Sequence, residues 1–110
     1  MIYHIVLPDF WKSQENNEFY FSETFPAEGF IHCSTEQQLE GVLQRYYSNA
    51  SEVIKLTLEE DELTSPLRYE EATNNELFPH IFGGINQEAI AAIDVLIEIF
   101  PGEFITKYEK

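Results

Sequence analysis

The stretch Glu28-Gly29-Phe30-Ile31-His32-Cys33-Ser34-Thr35 reads as a turn, a short strand and a helix start. Gly29 can take backbone conformations that other residues avoid. Phe30 and Ile31 favour an extended chain. Ser34 or Thr35 can cap a helix, with Gln37 or Gln38 closing a capping box. His32 then stands at a strand end just before a helix N-terminus, where backbone N–H groups seek a polar or anionic partner. His32 and Ser34, two residues apart, share one strand face and make a small site. Cys33 turns the other way, into the core, where cysteine behaves as a small hydrophobe. That alternation argues against a His32–Cys33 nucleophilic pair.

Downstream of this stretch, Thr35 to Tyr47 is predicted as the main helix, with Leu39, Val42, Leu43 and Tyr46 at helical spacing. Upstream, Met1 to Leu7 is a strand apolar on both faces, expected to be central and stopped by Pro8. Asp9 is expected to cap a short helix anchored by Phe10 and Trp11. Phe19 to Phe21 reads as a short strand and Thr24 to Glu28 as a loop. Glu52 to Leu58 alternates, with Ile54, Leu56 and Leu58 on one apolar face. Glu59 to Glu62 is an acidic, solvated turn. Leu67 to Glu71 is a strand, and Thr73 to Glu76 a polar loop or single helical turn. Leu77 to Ile81 is left without an element, and Gly83-Gly84 breaks the chain. Ala89 to Phe100 is read as a strand, because every odd position is apolar. Pro101-Gly102 turns the chain into an edge segment at Phe104-Ile105, and the last four residues are expected to fray. The sum is a single α+β domain over residues 1–110, with short antiparallel strands in two sheets and one main helix.

Twenty acidic residues against six basic ones leave a net charge of -14. Such a body repels phosphate backbones, so nucleic acid is not expected as a partner. An anionic small ligand would need one arginine and backbone amides to converge. Cys33 is the single cysteine, which rules out an intrachain disulfide and fits a reducing compartment. The sequence has neither a signal-like start nor an apolar run of bilayer length, so a cytoplasmic protein with no membrane association is expected. Residue pattern alone sets no oligomeric state.

The chemistry-bearing residues are few. His4, His32 and His80 each sit beside an isoleucine, without the short spacing of a metal site, and no metal is expected. Arg68 and Glu70 share a strand face, where the arginine would keep the carboxylate ionised. Phe78-Pro79-His80-Ile81-Phe82 sets a histidine among aromatics, a wall on which a planar ring can stack.

Ile2 to Val6, Trp11, Glu28 to His32 with Ser34, Gln38, Leu56-x-Leu58, Glu70, Phe78 to Ile81 with Gly83, and Ala89-Ile90, in that order, resemble the bacterial family known as domain of unknown function 952. That family in turn resembles the ADP-ribosyltransferase fold, which binds NAD in a cleft between two small antiparallel sheets. His32-Cys33-Ser34 is similar to the His-Gly-Ser of the poly-ADP-ribose-polymerase-like branch, whose histidine holds a ribose hydroxyl. Tyr46 or Tyr47 would be the aromatic that stacks on nicotinamide. The resemblance implies His32, Glu70 and His80 as catalytic residues, with His4, Trp11, Phe30, Ser34, Arg68 and Phe82 contacting the ligand. NAD would be a substrate, cleaved or transferred at a ribosyl carbon through an oxocarbenium-like state. No bound cofactor is implied. A non-catalytic module for a small metabolite, or an acidic protein-interaction domain, is the alternative.

Overall fold

The computed structural model describes residues 1–107. The strands are β1 (Ile2–Val6), β2 (Phe19–Tyr20), β3 (Ile31–His32), β4 (Glu52–Leu58), β5 (Leu67–Glu71), β6 (Leu77–Ile81), β7 (Ile85–Asn86), β8 (Ile90–Phe100) and β9 (Glu103–Thr106). The α-helices are α1 (Pro8–Gln14), α2 (Phe25–Glu28) and α3 (Glu36–Tyr46). Among the described residues no helix is long and apolar enough to cross a membrane.

All strand pairing is antiparallel. One sheet runs β1-β4-β8-β9, a second β3-β6-β5, and β2 pairs with β7. The expected two sheets are therefore joined by a third, two-residue pairing. The α+β class holds.

The two larger sheets are stitched by one bridge. Tyr3 and Ser34 exchange backbone hydrogen bonds, each 2.8 Å long. Between the sheets lies the main core, which includes Ile2, Ile31, Leu56, Leu58, Ile81 and Ile85, each at most 1% exposed. Burying each such side chain stabilises the fold by roughly 1.5–3 kcal/mol before entropy is counted. A smaller cluster of Ile5, Leu43, Val53 and Leu96 fixes α3 to the other face of the first sheet.

Several expectations are corrected. β1 is an edge strand of its own sheet rather than a central one, because its free side meets only Ser34, two residues past β3, at the bridge. Pro8 opens α1 at its first helical position instead of only ending β1, and Leu7 rather than Asp9 is the N-cap. Proline suits that place because its missing N–H would have no helical partner there. Residues 25–28 form a helical turn rather than a loop, with Pro26 near its start and Gly29 ending it in the left-handed region at φ 80°.

Leu77 to Ile81 is the central strand of the second sheet, although it contains Pro79. The carbonyl of Pro79 accepts the Cys33 N–H at 3.0 Å, one residue past the end of β3. The missing proline N–H lies on that same side, opposite Cys33, so the pair keeps one of its two ladder bonds and the proline sits where β3 ends. β8 forms as alternation predicts, yet Ile93 and Ile99 are exposed and Leu96, on the opposite face, is buried. The edge segment at Phe104-Ile105 is β9. The expected fraying falls mainly on residues 108–110, which lie outside the described ones.

Candidate functional site

Beyond the Tyr3–Ser34 bridge, β1 and β3 part. A cleft of about 500 Å³ opens in the fork, within the range typical of small-molecule sites. His4 to Leu7 line it from β1, His32 to Ser34 from the end of β3, and Tyr46 and Tyr47 from the end of α3. The segment between β2 and β3 contributes Ser22, Glu23, Thr24 and Glu28.

His4 holds the fork in shape. Its Nδ1 lies 2.6 Å from the His32 carbonyl, which can only accept, so Nδ1 carries the proton. Nε2 is then an acceptor, and the Tyr20 hydroxyl donates to it at 2.8 Å. Burial pushes the His4 pKa down to about 4, so the ring is neutral at pH 7. Burial likewise raises the Tyr20 pKa, with smaller contributions from Tyr47, Cys33 and Glu23.

His32 stands at the mouth, its side chain 51% exposed, and its Nε2 is 2.9 Å from Glu28 Oε1. Gly29 makes that reach possible by reversing the chain between the two residues. Hydrogen bonds from Thr24 first, and then from His32, hold the Glu28 carboxyl below the usual carboxylate range. On the cleft wall, the Ser22 hydroxyl is buried and has no hydrogen-bond partner among the described residues.

Behind His32 lies a second imidazole. His32 and His80 are cross-strand partners, with ring centroids 5.2 Å apart at 79°. His80 stacks on Phe30 at 4.2 Å and 22°. Its Nδ1 is 2.9 Å from Glu70 Oε1, while its buried Nε2 has no partner among the described residues.

Comparison with protein families decides the affiliation. The family model described as a protein of unknown function, DUF952, matches residues 5–93. The chain belongs to the DUF952 family. The match includes His32, Glu70 and His80 and begins just after His4. Among solved structures, the crystal structure of CC0527 from Caulobacter crescentus is similar at a TM-score of 0.84, with 21% identity over 94% of this chain and 92% of that one. A double mutant of the same protein superposes equally well, at 0.84 and 20% identity over the same shares of both chains. Its solution structure gives 0.74 and 23% identity over 87% and 84%. These likenesses establish a shared fold. No curated protein matches the chain. None of the matched proteins is described as an ADP-ribosyltransferase.

In this DUF952 chain the expected site residues fall in two groups, with Trp11, Arg68 and Phe82 outside the cleft. His4, His32 and Ser34 line the cleft, as do the aromatic residues Tyr46 and Tyr47. His80, Glu70 and Phe30 gather behind His32 without lining it. Glu70 pairs with His80 rather than with Arg68, whose guanidinium lies over the Phe82 ring at 5.3 Å. Trp11 is a core residue packed on Tyr20. Among the described residues no group of three His, Cys, Asp or Glu is placed to hold a metal ion. Sequence reasoning missed Ser22, Glu23 and Glu28. Glu28 had a signal, four residues before His32 with a glycine between. Ser22 had none, because its role depends on how β2 docks.

Proposed function

We propose that the chain binds a small molecule in the cleft between β1 and β3, with His32 as its acid–base group and Ser34 as an orienting hydroxyl. One observation carries this reading. A half-exposed imidazole, Ser34 and Ser22 line one cleft of about 500 Å³, and the Ser22 hydroxyl, sealed within that wall, has no partner among the described residues. A buried hydroxyl without a partner costs stability, and turning the Ser22 side chain towards a bound ligand would recover the loss. With Nε2–H given to Glu28, the Nδ1 of His32 is its basic atom, and the carboxylate steadies the charge when that atom takes a proton. His80, edge-on to His32 and tied to Glu70, is a positioning residue. The test is a thermal-shift screen of the purified chain against small metabolites, followed by His32→Ala and Ser34→Ala. A hit whose shift disappears in both variants supports the reading, and hits indifferent to both contradict it.

A second reading takes NAD or a related nucleotide as substrate, with transfer or glycohydrolysis at the ribosyl carbon. It is favoured by His32 and Ser34 sharing the cleft with Tyr46 and Tyr47, a hydroxyl clamp together with aromatic rings. Nicotinamide release from NAD, lost in His32→Ala, tests it.

A further inference from the structure

We infer that the cleft selects an organic cation, a compact molecule in which an ammonium group is joined to an apolar or aromatic body. The inference rests on the small-molecule reading above and names the class of ligand. Its basis is the charge and hydrogen-bonding character of the wall.

Two carboxylates, Glu23 and Glu28, line the cleft, while no lysine or arginine does. An anionic ligand would meet these carboxylates, of which Glu28 is paired with His32 and Glu23 is not, with no lysine or arginine on the wall to offset them. The pyrophosphate of a dinucleotide would face the same repulsion. The nearest expected phosphate partner, Arg68, lies over Phe82 and does not line the cleft.

Two of the neutral groups on the wall can only accept, while its serine and threonine hydroxyls can accept or donate. The His32 carbonyl takes its bond from His4, and the single proton of Tyr20 is spent on His4 Nε2, so a group reaching that phenol oxygen must donate. The Tyr47 hydroxyl is directed at the Ile5 carbonyl, at a long 3.4 Å. Ser22 is the independent sign that something is missing. It is 7% exposed, it lines the cleft, and its oxygen has no partner among the described residues.

Aromatic rings complete the match. Tyr47, Phe10 and Phe78 line the cleft, and ring faces attract ammonium groups where water is thin; Tyr46 lines it too, with the Arg45 guanidinium already over its ring at 5.8 Å. Beside the cleft, and sharing Leu7, Phe10 and Glu23 with it, a second depression adds Asp9 and Glu52, again with no basic residue. The acid face thus extends beyond the mouth, with Lys107 Nζ 4.0 Å from Glu52 at its far side. A net charge of -14 would further concentrate cations near it.

The test uses three probes of one shape: 2-phenylethylamine, 2-phenylethanol and phenylacetate. Each is titrated into the full chain while amide resonances are followed at two salt concentrations. The amine should shift the amides of Ser22, Glu23 and Tyr47, bind about tenfold more tightly than the alcohol, and weaken with salt. Phenylacetate should leave those amides unmoved. Glu23→Gln should cost the amine about tenfold and leave the alcohol unchanged, with the dispersed spectrum confirming the fold. Equal binding of amine and alcohol, or tighter binding of phenylacetate, overturns the inference and leaves the small-molecule cleft standing. An amine that moves none of the cleft amides overturns it whatever a wider screen finds. Indifference of every screened hit to His32→Ala and Ser34→Ala is the separate failure of the underlying reading.

Discussion

His32 and His80 face each other across the β3–β6 ladder, and each is held by a glutamate, yet they live in different media. The His32 side chain is 51% exposed and that of His80 is 4% exposed. Their N···O distances to Glu28 and Glu70 are the same, 2.9 Å. Equal geometry with unequal burial separates a group placed to meet a ligand from one placed to hold its neighbour.

The two pairs should differ in what they contribute to stability. Glu70→Ala leaves a buried imidazole N–H without its acceptor and is expected to cost about 1–3 kcal/mol. Glu28→Ala opens an exposed pair and should cost less than about 1 kcal/mol. Denaturant unfolding of the two variants measures the difference. Equal losses would show that burial of His80 does not matter.

Stability should fall on mild acidification because of His4. In the fold its pKa is lowered from 6.5 to about 4, so between these values the unfolded chain holds a proton that the folded chain lacks. The contribution is complete above pH 6.5 and is lost as pH drops towards 4, on the order of 3 kcal/mol in all. The carboxylates whose pKa is lowered, Glu28, Glu88 and Glu98, act in the same direction but at more acid pH. Unfolding free energy measured from pH 7.5 to 4 should therefore slope in the wild type. The slope should flatten in His4→Gln.

Gly29→Ala isolates a backbone effect. A Cβ there would meet nothing within 4 Å, while φ is +80°. The cost is therefore conformational, about 1–2 kcal/mol. Because the same turn carries Glu28 back to His32, the variant should also alter the ring resonances of His32. Unfolding together with imidazole chemical shifts checks both.

Cys33 should be inert in the native state. It is buried in the main core, and burial raises the thiol pKa well above its ordinary value. A thiol reagent should label it only at the rate of unfolding. Fast labelling at neutral pH would place Cys33 at an open surface.

Much of this architecture was legible in local pattern. The main helix, expected over 35–47, spans Glu36–Tyr46 with Thr35 and Tyr47 as its caps. The Gln38 side chain accepts the Thr35 N–H at 3.0 Å, the return arm of the expected capping box. β4 and β8 formed because β-branched residues alternate over a long enough run. β6 was not legible because a proline argues against a central strand, and Pro79 is tolerated at the last β3 pairing, where its carbonyl still accepts the Cys33 N–H. The exposure of Ile93 and Ile99 was illegible, since alternation reports that a face is apolar and not whether a second layer reaches it.

The candidate site was legible in its identities and less so in its arrangement. His32 and Ser34 shared a strand end and do share the cleft. Glu70 was matched to Arg68, two residues away on one strand, but a cross-strand neighbour claimed it. Ser22 and Glu23 became site residues only through tertiary placement, which no spacing encodes.

The fork between β1 and β3 as a ligand site is tested most directly by soaking crystals of the chain with a fragment library and locating whatever binds. Fragments seated against His32, Ser34 and Ser22, with the Ser22 hydroxyl gaining a hydrogen bond, are the expected result. Fragments that settle elsewhere while the fork stays empty would contradict it.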